Sequence, residues 1–174
     1  IRLSLVGSEM CIRDRIIKDK SIVVSSPQMS GVAEVLRTRT QQGLYISGSD
    51  FQLVDASGEG FGTRFSVIGT AGSYPNLWMP IIGFHQAENA ATAIAAVEQF
   101  LGGRSIADEY LRVAIADAVS PGRLQVVSKE PLVVLDGAHN PAGIASLDVA
   151  IKHHFSEPDR IGLVAMVADK DIDT

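Results

Sequence analysis

The sequence predicts an α/β protein that carries a small antiparallel β-meander, and three observations lead there. A β-branched run from Ser21 to Ser25 (SIVVS) is followed by a helical stretch and then by a second strand-like run, Leu44 to Ser47. That is the order of a βαβ unit. Between Phe51 and Pro80 the pattern changes to short runs (FQLVDA, TRFSVIG, NLWMPI) separated by the turn-rich SGEGFG and TAGSYP, as antiparallel connections require. Toward the end, strand-like Leu132 to Leu135, helical Pro141 to Phe155 and strand-like Ile161 to Ala168 repeat the βαβ order.

The first helix opens after Pro27, with Val32, Val35 and Leu36 apolar, and Gly43 stands where a helix stop is expected. The strongest helix runs from Phe84 to Leu101. Ala90, Ala91, Ile94, Ala95 and Val97 give it a small-residue face, Glu88 and Glu98 are expected in solvent, and Gly102–Gly103 ends it. Ser105 reads as the cap of the next helix, with Ile106, Tyr110, Leu111 and Ile115 inward. Ala118 to Gly122 (AVSPG) reads as a linker. A hairpin follows, Leu124 to Val127 against Leu132 to Leu135, with Lys129–Glu130 at the turn. Closing it with residues 128 and 131 sets Arg123 opposite Asp136, on one rim. Lys-Glu is not a favoured tight-turn pair, which leaves a one-residue offset open.

Composition narrows the function classes. The chain has 174 residues, 46% hydrophobic and 20% charged, the balance of a folded globular protein. The formal net charge is −5 with no basic block, which argues against a nucleic-acid partner. No apolar run approaches the roughly 18 residues of a membrane span. The single Cys11 excludes an internal disulfide and a thiolate metal cage. These features lead us to expect a soluble cytoplasmic protein. Residues 1–15 (IRLSLVGSEMCIRDR) resemble translated sequencing-adapter read-through rather than native sequence, and the chain is expected to be a piece of a longer one.

Three motifs carry chemistry. In LDGAHNPAG (Leu135 to Gly143), Asp136 ends a strand, Asn140 is placed to cap a helix and Pro141 suits its first position. The helix start would offer N–H groups to an anion, and His139 projects from the same turn. A well-capped crossover with a solvated Asp and His accounts equally for these residues. In HQAENAATA (His85 to Ala93), Asn89 sits one turn into an Ala-rich helix, where an amide can donate and accept at a purine edge or ribose hydroxyl. Tight helix packing, with Asn89 bonded to nearby main chain, is the plainer account. In SPGRLQ (Ser120 to Gln125), Arg123 is either a solvated strand-end charge or the partner of Asp136 across a shared site. The carboxyl ends of the last two strands carry the Asp136 to Asn140 and Asp169 to Asp171 loops, where open α/β sheets bind ligands. Gly58 to Thr63 lacks the spacing and Lys of a P-loop, and His153–His154 have only Glu157 at helical ligand spacing, past the expected helix end, which argues against a metal site.

Taken in order, IIKDKSIVVSSPQ, GFHQAENAATAIAAVE, SPGRLQVV, PLVVLDGAHNPAG and MVADKD resemble folylpolyglutamate synthases and their bifunctional dihydrofolate synthase relatives, within the Mur ligase superfamily. The resemblance implies the end of a Mur-ligase-type central ATPase domain with its meander, over residues 16–118. Residues 119–174 would then begin a Rossmann-like C-terminal domain. It implies an ATP-dependent ligase that adds glutamate to folate substrates, tetrahydrofolate alone or dihydropteroate as well, through an acyl phosphate, as a monomer when full length. By motif position, Asn89 would face adenine, Asp136 the ribose, Arg123 the nucleotide and His139 the phosphates. The family's P-loop, Mg²⁺-positioning residues and modified Lys have no counterpart here. We therefore expect no catalytic or metal-ligating residue in this chain, and no ligase activity from it alone. A cell-wall Mur ligase and a non-catalytic nucleotide-binding module are the competing readings.

Overall fold

The computed structural model describes residues 17–28, 30–155 and 159–165. The adapter-like segment 1–15 and the Asp169 to Asp171 loop lie outside the described residues, as does the second half of the strand expected over 161–168.

The first βαβ unit forms as expected. Strand β1 (Val23–Ser25) runs parallel to β2 (Leu44–Ile46), with Val24 opposite Tyr45, and helix α1 (Ser30–Arg39) crosses between them. Gly43 does not stop α1. The Thr40 hydroxyl closes it, donating to the Leu36 carbonyl at 2.8 Å, while the Gly43 carbonyl accepts from Val23.

The meander also forms, as a three-stranded sheet in the order β3 (Gln52–Glu59), β4 (Gly62–Ile68), β5 (Ser73–Met79). Its first turn is tighter than expected: β3 runs on to Glu59, which pairs with Gly62 across Gly60 and Phe61. Gly60 takes the left-handed conformation at φ 59° that such a turn demands.

Helix α2 (Phe84–Phe100) lies across this sheet and β1. Its Ala87, Ala91, Ile94 and Ala95 are buried with Phe51, Phe65, Val67, Leu77 and Met79 in the main core. The alanines let the helix approach closely while keeping high helix propensity. Gly102 and Gly103, both left-handed, terminate it as expected, with N–H groups bonded to the Gln99 and Glu98 carbonyls.

Three side-chain expectations for the helices fail. Helix α3 (Asp108–Ala116) starts later than Ser105 and has no side-chain cap. Asp108 and Glu109 in its first turn complement the helix dipole instead. Tyr110, expected inside, is 70% exposed, whereas Leu111 is buried. Glu98, expected in solvent, is fully buried. Its Oε2 accepts from the Thr70 N–H (2.6 Å), the Thr70 hydroxyl (2.7 Å) and the Ala71 N–H (3.1 Å), and its Oε1 from the Tyr74 hydroxyl (2.7 Å). A Cβ on Gly69 would stand 2.6 Å from Oε1, so the loop needs glycine there. The local sequence shows only a Glu on a helix; its donors come from the β4–β5 connection and the start of β5.

The C-terminal region pairs β6 (Gln125–Lys129) with β7 (Leu132–Leu135), antiparallel, before helix α4 (Pro141–His154). Its register differs from the expected one. Lys129 pairs with Leu132, and a bulge between Val126 and Ser128 shifts the rest. Pro131 has no N–H to give the ladder, which pushes it into the turn. The described part of the expected last strand, 161–165, is not in a strand, and Ile161 and Leu163 are almost wholly exposed. A second parallel unit is therefore not formed among the described residues. A smaller core of Ile82, Leu124, Ala150 and Phe155 joins this region to the start of α2.

Replacing Glu98 by Gln sets a donor against donors in a buried site. We expect the unfolding free energy to fall by about 2–3 kcal/mol in urea titrations; an unchanged midpoint would contradict the buried hub. Burial, reinforced by the bond to Glu98, pushes the Tyr74 phenol up to about 12. An acid held more tightly in the folded state contributes fully below its ordinary value of 10, and that contribution is lost as pH rises toward 12. Stability should therefore decline over that window in the parent and decline less in Tyr74→Phe, read from unfolding midpoints at each pH.

Candidate functional site

One cleft of about 420 Å³ gathers the chemistry-bearing motifs. Its walls come from three stretches far apart in sequence. His85, Gln86 and Asn89 belong to the first turns of α2, Ser120, Arg123 and Leu124 to the connection before β6, and Asp136 and Ala138 to the loop after β7. Gly143, Ser146 and Leu147 of α4 close it. The volume lies within the roughly 300–1,000 Å³ of small-molecule sites. An apolar hollow of about 260 Å³, lined by Phe84, Ala145, Val149 and Ala150, adjoins it and shares His85 and Ser146.

Asp136 holds the cleft together. Its Oδ2 accepts from the Leu124 N–H at 2.9 Å and its Oδ1 from the Ala138 N–H at 2.7 Å. Beside it the Gly137 N–H donates to the Gly122 carbonyl at 2.7 Å. Leu124 adopts a left-handed φ of 44°, unusual for a residue with a side chain, and these bonds together with its burial hold it there. Arg123 and Asp136 share a rim as expected, although the residue across from Asp136 is Leu124. Each carboxylate oxygen keeps a lone pair for a further donor.

The Arg123 guanidinium has no hydrogen-bond or ion-pair partner among the described residues and is solvent-exposed. Asn89 is likewise exposed. Its Nδ2 donates to Gln86 Oε1 at 3.2 Å, and Gln86 Nε2 lies 3.0 Å from His85 Nε2. Burial lowers the His85 pKa below the ordinary imidazole value; Asp136 opposes that shift, Arg123 adds to it and Glu88 opposes it. His85 is therefore within electrostatic reach of both other walls.

His139 does not line the cleft. Its Nδ1–H donates to the Gly137 carbonyl at 2.9 Å, folding the ring back on its own loop. The expected cap on α4 is present, with Asn140 Oδ1 accepting from the Gly143 N–H at 2.8 Å. This bond consumes one of the N–H groups expected to meet an anion. Pro141 has none, and the Ile144 N–H is bonded to the Asn140 carbonyl. Motif reading stopped at Asn89 and passed over His85 and Gln86, whose presence in the same helical turn was the available signal. No group of three or more His, Cys, Asp or Glu placed to hold a metal occurs among the described residues. No described helix is long and apolar enough to cross a membrane.

No protein-family model matches the chain. A curated dihydrofolate synthase/folylpolyglutamate synthase of Mycobacterium tuberculosis is 32% identical over 159 residues, covering 88% of this chain and 33% of the relative. The solved folylpolyglutamate synthetase of Lactobacillus casei superposes with a TM-score of 0.77 at 31% identity, over 91% of this chain and 42% of that one. The chain belongs to the folylpolyglutamate synthase family. A Mycobacterium tuberculosis folylpolyglutamate synthase solved with ADP and AMPPCP matches with a TM-score of 0.65 at 33% identity, over 71% of this chain and 27% of that one. The present chain thus spans about a third of the length of its curated M. tuberculosis relative.

Asp136→Ala leaves two main-chain donors without their acceptor. The Leu124 and Ala138 amides should exchange with deuterium at least about tenfold faster. Unchanged protection at both would show that the carboxylate does not hold the loop.

Proposed function

We propose that this chain supplies the nucleotide-binding part of an ATP-dependent ligase that adds glutamate to folate. The observation that carries the reading is the meeting of Asn89, Arg123 and Asp136 in one cleft, together with the ADP- and AMPPCP-bound relative. Asn89 presents a donor and an acceptor suited to the N6 and N7 atoms of adenine. Asp136 accepts from a ribose hydroxyl with its remaining lone pairs. Arg123 offers a charged, planar group to phosphate oxygens. We assign His139 to the phosphate side, where its ring would turn away from the Gly137 carbonyl so that Nδ1–H meets a phosphate oxygen. Residues 16–118 would form the end of a central ATP-binding domain and residues 119–174 the beginning of the next.

In the reaction, a terminal carboxylate oxygen of the folate attacks the γ-phosphorus of ATP and ADP leaves. The amine of glutamate then attacks the acyl carbon, releasing phosphate and a proton as the amide forms. Within that sequence this chain's residues bind and orient the nucleotide.

Calorimetric titration of the purified chain tests the reading. ADP should bind saturably, and GDP about tenfold more weakly, because guanine presents acceptors where adenine has a donor. Arg123→Ala should weaken ADP binding by about tenfold or more. Saturable binding unaffected by Arg123→Ala and Asn89→Ala, or no ADP binding at all, would overturn it.

A further inference from the structure

We propose that His85, as the neutral imidazole with its proton on Nδ1, fixes the direction of a hydrogen-bond relay through Gln86 to Asn89. It thereby sets which edge Asn89 turns to the cleft. The relay stands on geometry; only the identity of its ligand rests on the nucleotide reading.

A carboxamide can face either way, so a chain of two amides takes its direction from the group at its end. Asn89 Nδ2 donates to Gln86 Oε1, which leaves the Gln86 amino group facing His85 Nε2 at 3.0 Å. That contact is a hydrogen bond only if Nε2 carries a lone pair, which places the ring proton on Nδ1. Asn89 then keeps Oδ1 and its second N–H together as one outward donor–acceptor edge. A protonated His85 donates from both nitrogens. Gln86 would have to turn its oxygen to the ring, bringing its amino group against that of Asn89. Asn89 would have to turn in response, directing Oδ1 inward and losing the paired edge.

The surroundings favour the neutral ring. His85 is half-buried where the polar cleft meets the apolar hollow. Gly83, at φ 118°, leaves space that a Cβ would close, standing 2.7 Å from the ring carbon Cε1. Across from it α4 presents Ala145 and Ser146, neither of which titrates. Three charges face the ring: Asp136 and Glu88 favour protonation, Arg123 opposes it, and burial outweighs them to lower the pKa. The relay should therefore be set at neutral pH and reverse on the acid side of the ordinary imidazole value. The chemistry it selects is a base edge with a donor beside an acceptor. His85 acts through Gln86 and Asn89 and is a positioning residue.

Two readouts on the full chain test this. The first is ADP binding by calorimetry from about pH 7.5 down to about pH 5.5, for the parent and for His85→Phe, which keeps a ring but removes the acceptor. The parent should bind ADP about tenfold more tightly at the upper pH than at the lower. His85→Phe should be weaker than the parent at the upper pH and show a shallower acid loss. Comparing the two proteins removes the titration of the ADP phosphates. Measurable ADP binding with the same affinity and pH slope in both would overturn the relay. The second readout is the ring-nitrogen chemical shifts of His85 in the unliganded parent. The Nδ1–H tautomer is expected at about pH 7.5; the Nε2–H tautomer or an imidazolium there would overturn the relay whether or not ADP binds. The expected tautomer with no ADP binding would support the relay and sink the nucleotide reading instead.

Discussion

Both oxygens of Asp136 are committed to main-chain amides, and the cleft exists because of it. One bond reaches Leu124, before β6, and the other Ala138, after β7. The loop after β7 is thereby tied to the segment that carries Arg123. Leu124, held at a left-handed φ, sends its side chain into the small core with Ile82, Ala150 and Phe155. Ile82 immediately precedes the Gly83–Phe84 entry to α2. The walls of the cleft thus share one apolar anchor and one carboxylate, so a disturbance of either is felt at residues with no contact to a ligand. A charged group that accepts two main-chain donors loses little by also meeting a third, since its desolvation is already compensated.

Helix α2 separates its duties along its length. At its C-terminal end Glu98 is buried and saturated with donors from the β4–β5 connection and Tyr74 of β5. Its Ala-rich middle packs Ala87, Ala91, Ile94 and Ala95 against the meander. At its N-terminal end His85, Gln86 and Asn89 face the cleft. The costly burial of a carboxylate therefore lies at the opposite end of the helix from the exposed amide. Rigidity at one end fixes the angle at which the other presents its side chains, which is what a site built on helices requires.

Element order was legible because it rests on local pattern. SIVVS, the short runs of the meander and the Ala-rich HQAENAATAIAAVE each announce their own period. Asn140 and Pro141 announce a helix start, and the Asn140 side chain caps it. Misreadings arose where a residue's partner is distant in sequence. Glu98 reads as a solvated face because nothing nearby discloses that Thr70, Ala71 and Tyr74 will surround it. The hairpin register was misread at Pro131, which cannot donate to the ladder, and at the bulge beside Val127. The convergence of Arg123 and Asp136 survived that error because Asp136 reaches the main chain of the adjacent residue, Leu124. His85 was passed over for a different reason. A histidine inside a helical motif looks like packing until the amides on either side are seen to share a direction.

The charge inventory of the cleft constrains how it would hold an anionic ligand. The start of α4 looked like the natural phosphate cradle, yet Pro141 has no N–H and those of Gly143 and Ile144 are spent within the helix start. Apart from any amide not so engaged, the helix offers its dipole, which is worth about 1 kcal/mol or less at an exposed end. His85 is held neutral by its burial, so it adds no charge at neutral pH. Among the residues lining the cleft, Arg123 is then the one fixed cation, facing a single carboxylate whose oxygens already serve as acceptors. A guanidinium that is exposed and unpaired among the described residues is poised to meet phosphate oxygens without first breaking an ion pair there. Under the proposed function, the phosphate end of a nucleotide would therefore depend on Arg123, and its base end on the amide that His85 orients. The two ends of the ligand would be read by different physics: one by a charge that salt screens, the other by hydrogen-bond direction that salt leaves untouched.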